Sequence, residues 1–212
     1  MKTKIDRQID ELDYQLQDLK RKLAELRRQR PREEIKDYRL LDSEGRGAPL
    51  SSLFGDQNRL ILVHNMGRGC SYCTMWADGF TGLLPHLNSR AAFALASPDK
   101  PESQKEFVRS RGWNFPVYST AGTSFTADMG FDDEKEGLMP GISVFTKETD
   151  GKMYRVSRAE IGPGDNFCAV WHFFDLLPEG IDGWEPRLSY ELVQIASSEK
   201  NKVLAPTYAR TL

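Results

Sequence analysis

The most regular hydrophobic pattern in the chain lies at its beginning. Residues 3 to 30 contain no Gly or Pro, and apolar residues recur there at alternating spacings of four and three: Ile5, Ile9, Leu12, Leu16, Leu19, Leu23 and Leu26. This heptad pattern predicts one long helix, which Pro31 ends. Because the apolar seam is only two residues wide per heptad, it favours a coiled coil over a helix that lies on its own domain.

Charged residues beside this seam favour an antiparallel homodimer. The e positions of the heptad hold Asp6, Asp13, Lys20 and Arg27. In an antiparallel pair, Asp6 faces Arg27 of the second chain and Asp13 faces its Lys20. A parallel pair would instead oppose Lys22 to Arg27. Each exposed ion pair contributes little free energy, but together they select the orientation.

After Pro31 the hydrophobic pattern alternates between strands and helices. A nearly continuous aliphatic run predicts a buried strand over Leu60 to His64, and helical periodicity follows over Ser71 to Leu87 and over Pro101 to Arg111. Further strands are predicted at 38–41, 91–96, 117–118, 142–145 and 153–156, helical turns at 50–54 and 124–129, and a last long helix at 165–177. The order of elements is typical of an α/β domain with one mixed sheet.

These patterns divide the chain into three segments. We expect a coiled-coil helix over residues 1–33, an α/β domain over 34–180 and a C-terminal extension over 181–212. A length of 212 residues fits one core domain with such appendages.

Composition and charge exclude several classes of protein. The net charge of −2 does not indicate a bulk nucleic-acid binder, and no apolar run is long enough to span a bilayer. The first residues contain no apolar segment typical of a secretory signal, so the expected compartment is the cytoplasm. The chain has three cysteines, Cys70, Cys73 and Cys168, which is too few for a disulfide scaffold.

The strongest chemical signal is Cys70-Ser71-Tyr72-Cys73, which lies between the predicted strand and helix. Two thiols at this spacing can close a disulfide and open it again. Free N–H groups and the partial positive charge at a helix N-terminus stabilise a thiolate there. Cys70 is therefore expected to be the exposed nucleophile, and Cys73, one turn further in, the resolving thiol.

Longer stretches resemble known families. The run Ile61 to Cys73 resembles the strand and active-site turn of thioredoxins, Met139 to Phe145 resembles their proline-led strand, and Gly112 to Tyr118 resembles the peroxiredoxin-like branch. More closely, Gly69 to Cys73 together with Trp76 to Phe80 resembles the DUF899 family of thioredoxin-like proteins. The resemblance covers about residues 34–180 and implies a thioredoxin-like three-layer α/β fold with a mixed central sheet.

The resemblance also implies site residues. His64 takes the place of the buried acidic residue that assists proton removal in thioredoxins; it could act as a base or be a core histidine satisfied by a carbonyl. Pro140 takes the place of the family's proline, which implies a cis Met139–Pro140 bond beside Cys70. Asp78 is expected to point away from the thiols and to bond backbone or Trp76.

Three functions remain open from the sequence. The first is a thiol–disulfide oxidoreductase acting on a protein or small-molecule disulfide with a thiol reductant and no cofactor; a variant is a thiol peroxidase, although the Thr-x-x-Cys pattern of typical peroxiredoxins is missing. The second is a non-catalytic interaction protein that uses its coiled coil. The third is a Cys₃His zinc site from Cys70, Cys73, Cys168 and His172, against which Cys168 is more simply a buried small side chain.

Overall fold

The computed structural model describes residues 2–190, and it begins with one long helix. Helix α1 spans Lys4–Arg28, as the heptad predicts. It starts with a capping box, in which the Thr3 hydroxyl accepts the N–H of Asp6 and the Asp6 carboxylate accepts the N–H of Thr3. None of its residues is buried, and the apolar seam stays 42 to 66% exposed, although the helix contacts the strand over residues 153–160.

A mixed sheet of eight strands forms the centre of the α/β domain. Its order is β1-β10-β9-β4-β5-β6-β2-β3. Strands β4, β5 and β6 run parallel, and every other neighbouring pair runs antiparallel. The strands are β1 Glu33–Ile35, β2 Arg39–Leu41, β3 Gly47–Pro49, β4 Arg59–His64, β5 Ala92–Ser97, β6 Val117–Ser119, β9 Gly141–Lys147 and β10 Met153–Glu160. A separate two-stranded ribbon consists of β7 Asp132–Asp133 and β8 Gly137–Leu138.

Side-chain alternation along β4 and β5 gives the sheet two buried faces. Val63 and Leu95 pack against α2 (Ser71–Asn88), α3 (Pro101–Arg111) and α5 (Ala169–Phe174); we call this the helix face. On the other side lie the 3₁₀ turn Leu50–Phe54 and α4 (Phe125–Asp128), with Phe125, Phe131 and Phe145 at the centre; we call this the phenylalanine face. The predicted α/β class with one mixed sheet is confirmed.

Two departures from the predicted elements have local causes. The last helix covers Ala169–Phe174 rather than 165–177. The Asp165 carboxylate accepts the N–H groups of Phe167 and Cys168, which makes a turn where the helix was expected to begin. Strands β1, β3, β7 and β8 escaped prediction because two or three residues carry no detectable periodicity.

The expected C-terminal extension is only partly visible. Its first ten residues, 181–190, pack on the domain through Trp184, whose ring centroid lies 4.8 Å from that of Phe174. The remainder of that segment lies outside the described residues. In the part of the chain that the structure describes, no helix has both the length and the hydrophobicity that a membrane crossing requires.

Candidate active site

The two cysteines lie at the first turn of α2. Cys70 is the N-cap residue, and its Sγ accepts the N–H of Cys73 at 3.1 Å. Its carbonyl accepts both the N–H and the hydroxyl of Thr74, at 3.0 and 2.9 Å. Cys70 is partly exposed whereas Cys73 is 1% exposed. Both are free thiols. The geometry thus presents one sulfur to solvent and keeps the second directly behind it.

This arrangement separates the acidities of the two thiols. The pKa of Cys70 is lowered to about 7, first because the Cys73 thiol donates a hydrogen bond to its sulfur. The backbone N–H groups of Cys73 and Tyr72 lower it further, and burial opposes them. The pKa of Cys73 is raised because its thiol proton is held by Cys70 and because it is buried. Near neutral pH, Cys70 is therefore the thiolate and Cys73 the thiol.

Two polar side chains hold the loop that leads to Cys70. The Asn65 carboxamide accepts the N–H of Gly67 at 2.7 Å and donates to the carbonyl of Cys73 at 3.3 Å. The Asp99 carboxylate accepts the N–H of Arg68 at 2.8 Å. Gly67 has φ +104°, and a Cβ there would lie 3.0 Å from the Asp99 carboxylate. Only glycine fits this position without strain.

Asn65 and Asp99 were not identified from the sequence, although a topological signal was available. Asn65 directly follows β4 and Asp99 follows β5, which are adjacent parallel strands. The carboxyl ends of parallel strands meet at one edge of a sheet, which is where sites commonly form in α/β proteins.

His64 is not brought to the dithiol. Its ring lies on the phenylalanine face, stacked 4.2 Å from Phe131 and 5.5 Å from Phe125, while Cys73 belongs to the helix face. Its Nε2 is paired with the Ser143 hydroxyl at 2.9 Å, and Nδ1 has no hydrogen-bond partner within the described residues. Burial, with a smaller contribution from Arg155, lowers the pKa of His64 to about 3. The structure therefore gives a neutral core histidine with one ring nitrogen paired to a hydroxyl rather than to the expected carbonyl.

Pro140 lies at the same sheet edge as the dithiol but in a different conformation from the one predicted. Gly141 pairs with His64 at the end of β4, so Pro140 precedes the strand beside the active-site loop. The described residues contain no cis peptide bond, so the predicted cis Met139–Pro140 bond is wrong. Backbone hydrogen bonds hold the chain on both sides of this trans bond. The N–H of Met139 donates to the carbonyl of Phe131, and the carbonyl of Pro140 accepts the N–H of Ile161.

Aromatic side chains form one wall of the site. Tyr72, within the C-x-x-C, stacks on Trp171 at a centroid distance of 6.2 Å, and Trp76 lies edge-on to Trp171 at 6.4 Å. Trp184 continues this wall at 6.1 Å from Trp171. Desolvation raises the pKa of Tyr72, and the negative charges of Glu185 and Cys70 add to the rise. Residues 181–190, which we call the C-terminal strap, thus pass close to the dithiol.

A partly buried ion pair between Arg111 and Asp78 anchors this strap. The Asp78 carboxylate accepts Nε1–H of Trp113 at 2.8 Å and the guanidinium of Arg111, at 3.1 Å from its Nε. Arg111 also donates to the carbonyl of Leu188 at 2.9 Å. Asp78 therefore bonds the side chains of Arg111 and Trp113 rather than backbone or Trp76, the partners expected from the sequence. Trp76 itself is a core residue.

The residues of the alternative zinc site are not assembled. Cys168 is a buried residue of the helix face, and His172 on α5 is exposed. Within residues 2–190, no group of three or more His, Cys, Asp or Glu side chains is placed to hold a metal ion. Cys168 thus matches the simpler interpretation of a small core side chain.

Comparison with known proteins identifies a family and a fold. The sequence model of a family described as bacterial protein of unknown function (DUF899) matches residues 10–193. Among solved structures, peroxidoxin BcpB from Mycobacterium tuberculosis is similar at 23% identity and a TM-score of 0.51, over 61% of this chain and 84% of that one. A variant of PrxQ from Xylella fastidiosa is similar at 16% identity and a TM-score of 0.52, over 62% of this chain and 85% of that one.

These structural similarities show the thioredoxin-like fold that the sequence had predicted. At such identities they show the fold and no activity. No curated protein matches the chain by sequence similarity.

Proposed function

Because the chain belongs to the DUF899 family, whose function is not known, we propose from its own geometry that it is a thiol–disulfide oxidoreductase. The observation that carries the proposal is the Cys70–Cys73 pair: a partly exposed sulfur whose pKa is lowered to about 7 lies on a helix N-terminus, with a buried thiol donating to it. A pair of small core side chains would need neither the exposure nor the lowered pKa.

The first step uses the Cys70 thiolate. It attacks one sulfur of a substrate disulfide, so a Cys70–substrate disulfide forms and the other substrate sulfur leaves as a thiolate. The N–H of Cys73 already points at Cys70 Sγ, which lowers the energy of the thiolate. The leaving thiolate takes a proton from water.

The second step uses Cys73. Its thiol loses its proton to the departing substrate sulfur, and its sulfur attacks Cys70, so the intramolecular disulfide forms and the reduced substrate leaves. Once Cys70 is in the mixed disulfide, the charge that held the Cys73 proton is gone, and the raised pKa of Cys73 falls accordingly. An external thiol reductant then reduces the Cys70–Cys73 disulfide to the dithiol and is itself oxidised to a disulfide. A reducing compartment such as the cytoplasm would supply it, and we place the activity there.

Because one of the similar structures is a peroxidoxin, a peroxide is the second substrate to consider. Cys70 would attack the peroxide oxygen, forming a sulfenic acid and releasing water or an alcohol. Cys73 would then condense with the sulfenic acid, releasing water and forming the same disulfide. Gly67, three residues before Cys70, stands where typical peroxiredoxins carry threonine. For this reason we favour a disulfide over a peroxide as the substrate.

Trapping experiments test the proposal. Cys73→Ser should accumulate mixed disulfides with substrate, and Cys70→Ser should form none and lose turnover of an insulin disulfide with dithiothreitol as reductant. Cys168→Ser is the matched control and should keep turnover within about twofold, because that side chain only fills the core.

Equal activity of the wild type and the Cys70→Ser variant would exclude the dithiol as the functional centre and favour a non-catalytic interaction protein. Turnover of hydrogen peroxide exceeding that of disulfides would instead identify the peroxidase variant.

A further inference from the structure

The leucine seam of α1 is a regular apolar surface that residues 2–190 leave largely uncovered. Its members are 42 to 66% exposed, and no residue of the helix is buried. An isolated helix would leave this apolar area in water, which is unfavourable in proportion to the area. From this we propose that α1 pairs with the α1 of a second copy of this chain, antiparallel, to form a homodimer.

Charge complementarity selects a second copy as the partner. Most ion pairs made by α1 use the outer positions of the helix: Asp10 binds Lys2, Asp18 binds Arg21 and Glu25 binds Arg28, while Asp18 also binds Lys22 at a g position beside the seam. The charges at the e positions beside the seam behave differently. Asp13, Lys20 and Arg27 form no ion pair within residues 2–190.

These unpaired charges match one another only across an antiparallel pair. When Leu16 is layered on Leu19 of the second copy, Asp13 faces Lys20 of that copy, and each such pair occurs twice by symmetry. Asp6 faces Arg27 in the same register. A parallel pair places uncharged Gln side chains beside Asp13 and Lys20, and sets Lys22 against Arg27.

The same charges fix the register. Sliding one helix by a heptad in one direction sets Asp13 against Asp13 of the second copy, and sliding it in the other direction sets Lys20 against Lys20. The favoured register keeps six apolar layers, from Ile9 on Leu26 through Leu26 on Ile9. The two helices overlap over residues 7–28 in this register, which at about 1.5 Å per residue gives a contact about 33 Å long.

Charge exchange at Asp13 and Lys20 tests this arrangement in the full chain. Asp6 is unsuitable because its carboxylate also caps the helix. Sedimentation equilibrium should show a dimer for the wild type. Asp13→Lys or Lys20→Asp alone should weaken dimerisation by about tenfold or more, because two attractive contacts become repulsive. The double variant Asp13→Lys/Lys20→Asp should recover the wild-type dissociation constant.

Control variants separate the seam from general charge effects. Glu11→Lys and Arg7→Asp make the same changes of charge away from the seam and should leave the dimer unchanged. Leu16→Glu should give a monomer whose dithiol still reacts, since Leu16 is 46% exposed in the single chain and lies on a different element from the dithiol.

Three results would overturn the proposal. One is a monomeric wild type at tens of micromolar, another is a dimer that survives Leu16→Glu, and the third is a dimer indifferent to the single charge changes. Loss of dimerisation would leave the dithiol assays intact, so failure of this proposal is distinguishable from failure of the proposed function.

Discussion

The sulfur atoms of Cys70 and Cys73 differ in environment although both belong to one helical turn. Cys70 caps α2 and receives the N–H of Cys73, while Cys73 is almost fully buried on the helix face. A lowered pKa on the outer thiol and a raised one on the inner thiol follow from this placement. Chemistry at neutral pH is therefore directed to a single atom.

The pH dependence of alkylation checks this directly. In a Cys168→Ser background, the rate of iodoacetamide labelling at Cys70 should rise with pH, reach half its maximum at about pH 7 and level off above it. Mass spectrometry of the labelled peptides makes the measurement. The urea-unfolded protein is the control, and its midpoint should return to the ordinary thiol pKa of 9.0. A folded-state midpoint near that value, or faster labelling of Cys73, would contradict the assignment.

Among the candidate site residues, the sequence correctly predicted the positions of the two cysteines but not the environment of His64. The C-x-x-C and its helix made Cys70 and Cys73 predictable, because the N-terminus of a helix is a local feature. His64 was not predictable in the same way. Its side chain faces Phe125 and Phe131 because the strand alternates, and an alignment by position carries no information about which face the fold turns toward the thiols.

Among the elements, the C-terminal strap is held by one cation in addition to the packing of Trp184. Arg111, at the end of α3, joins Asp78 on α2 to the carbonyl of Leu188 on the strap. No local pattern predicts such a contact, because it joins residues far apart in the chain. Helix α3 itself was predicted with the bounds the structure gives it. Pro101 begins it and Gly112, in a left-handed conformation, ends it.

Replacing Arg111 tests this connection. Arg111→Met should lower the free energy of unfolding by about 1 kcal/mol, because Asp78 loses a part-buried ion pair and keeps only the hydrogen bond from Trp113. Protease cleavage within residues 181–190 should become faster. Urea denaturation and limited proteolysis measure the two effects. The exposed Arg109→Met on the same helix is the control and should change neither. An unchanged cleavage rate in Arg111→Met would show that Trp184 alone holds the strap.

For the molecule as a whole, the α/β fold class and the central strands of the sheet could be predicted from the sequence, whereas the outer strands could not. Strands β4, β5 and β9 are long enough to carry a hydrophobic pattern, so the mixed sheet was predictable. The order of the outer strands was not, since β1 and β3 have three residues each. The cis bond at Pro140 was inferred from resemblance alone, and the structure gives that proline a trans bond.

The dithiol should also give the reduced protein a characteristic stability profile. An unfolded chain keeps both thiol protons up to about pH 9.0, whereas the folded chain loses that of Cys70 near pH 7. Between these values the unfolded state binds more protons, so the free energy of unfolding should rise with pH, by up to about 1 kcal/mol per pH unit. Above pH 9.0 the unfolded chain also releases the Cys73 proton, which the folded state retains, and the gain should reverse.

Urea denaturation from pH 6 to 10 measures this profile. The difference between the wild type under reducing conditions and the Cys70→Ser/Cys73→Ser variant isolates the contribution of the dithiol. A difference that stays flat across this range would mean that folding leaves the acidity of the thiols unchanged.

The central sheet also divides the chain into two regimes of mutational tolerance. On the phenylalanine face, side chains such as Phe125 and Phe131 are constrained by volume, so apolar exchanges of similar size should be accepted there. On the helix face, positions near Cys73 and Trp171 pack in the same way, and the proposed function would constrain them also through the reactivity of the neighbouring sulfur. Substitutions on the phenylalanine face would thus test stability alone, and substitutions on the helix face would test the proposed activity as well.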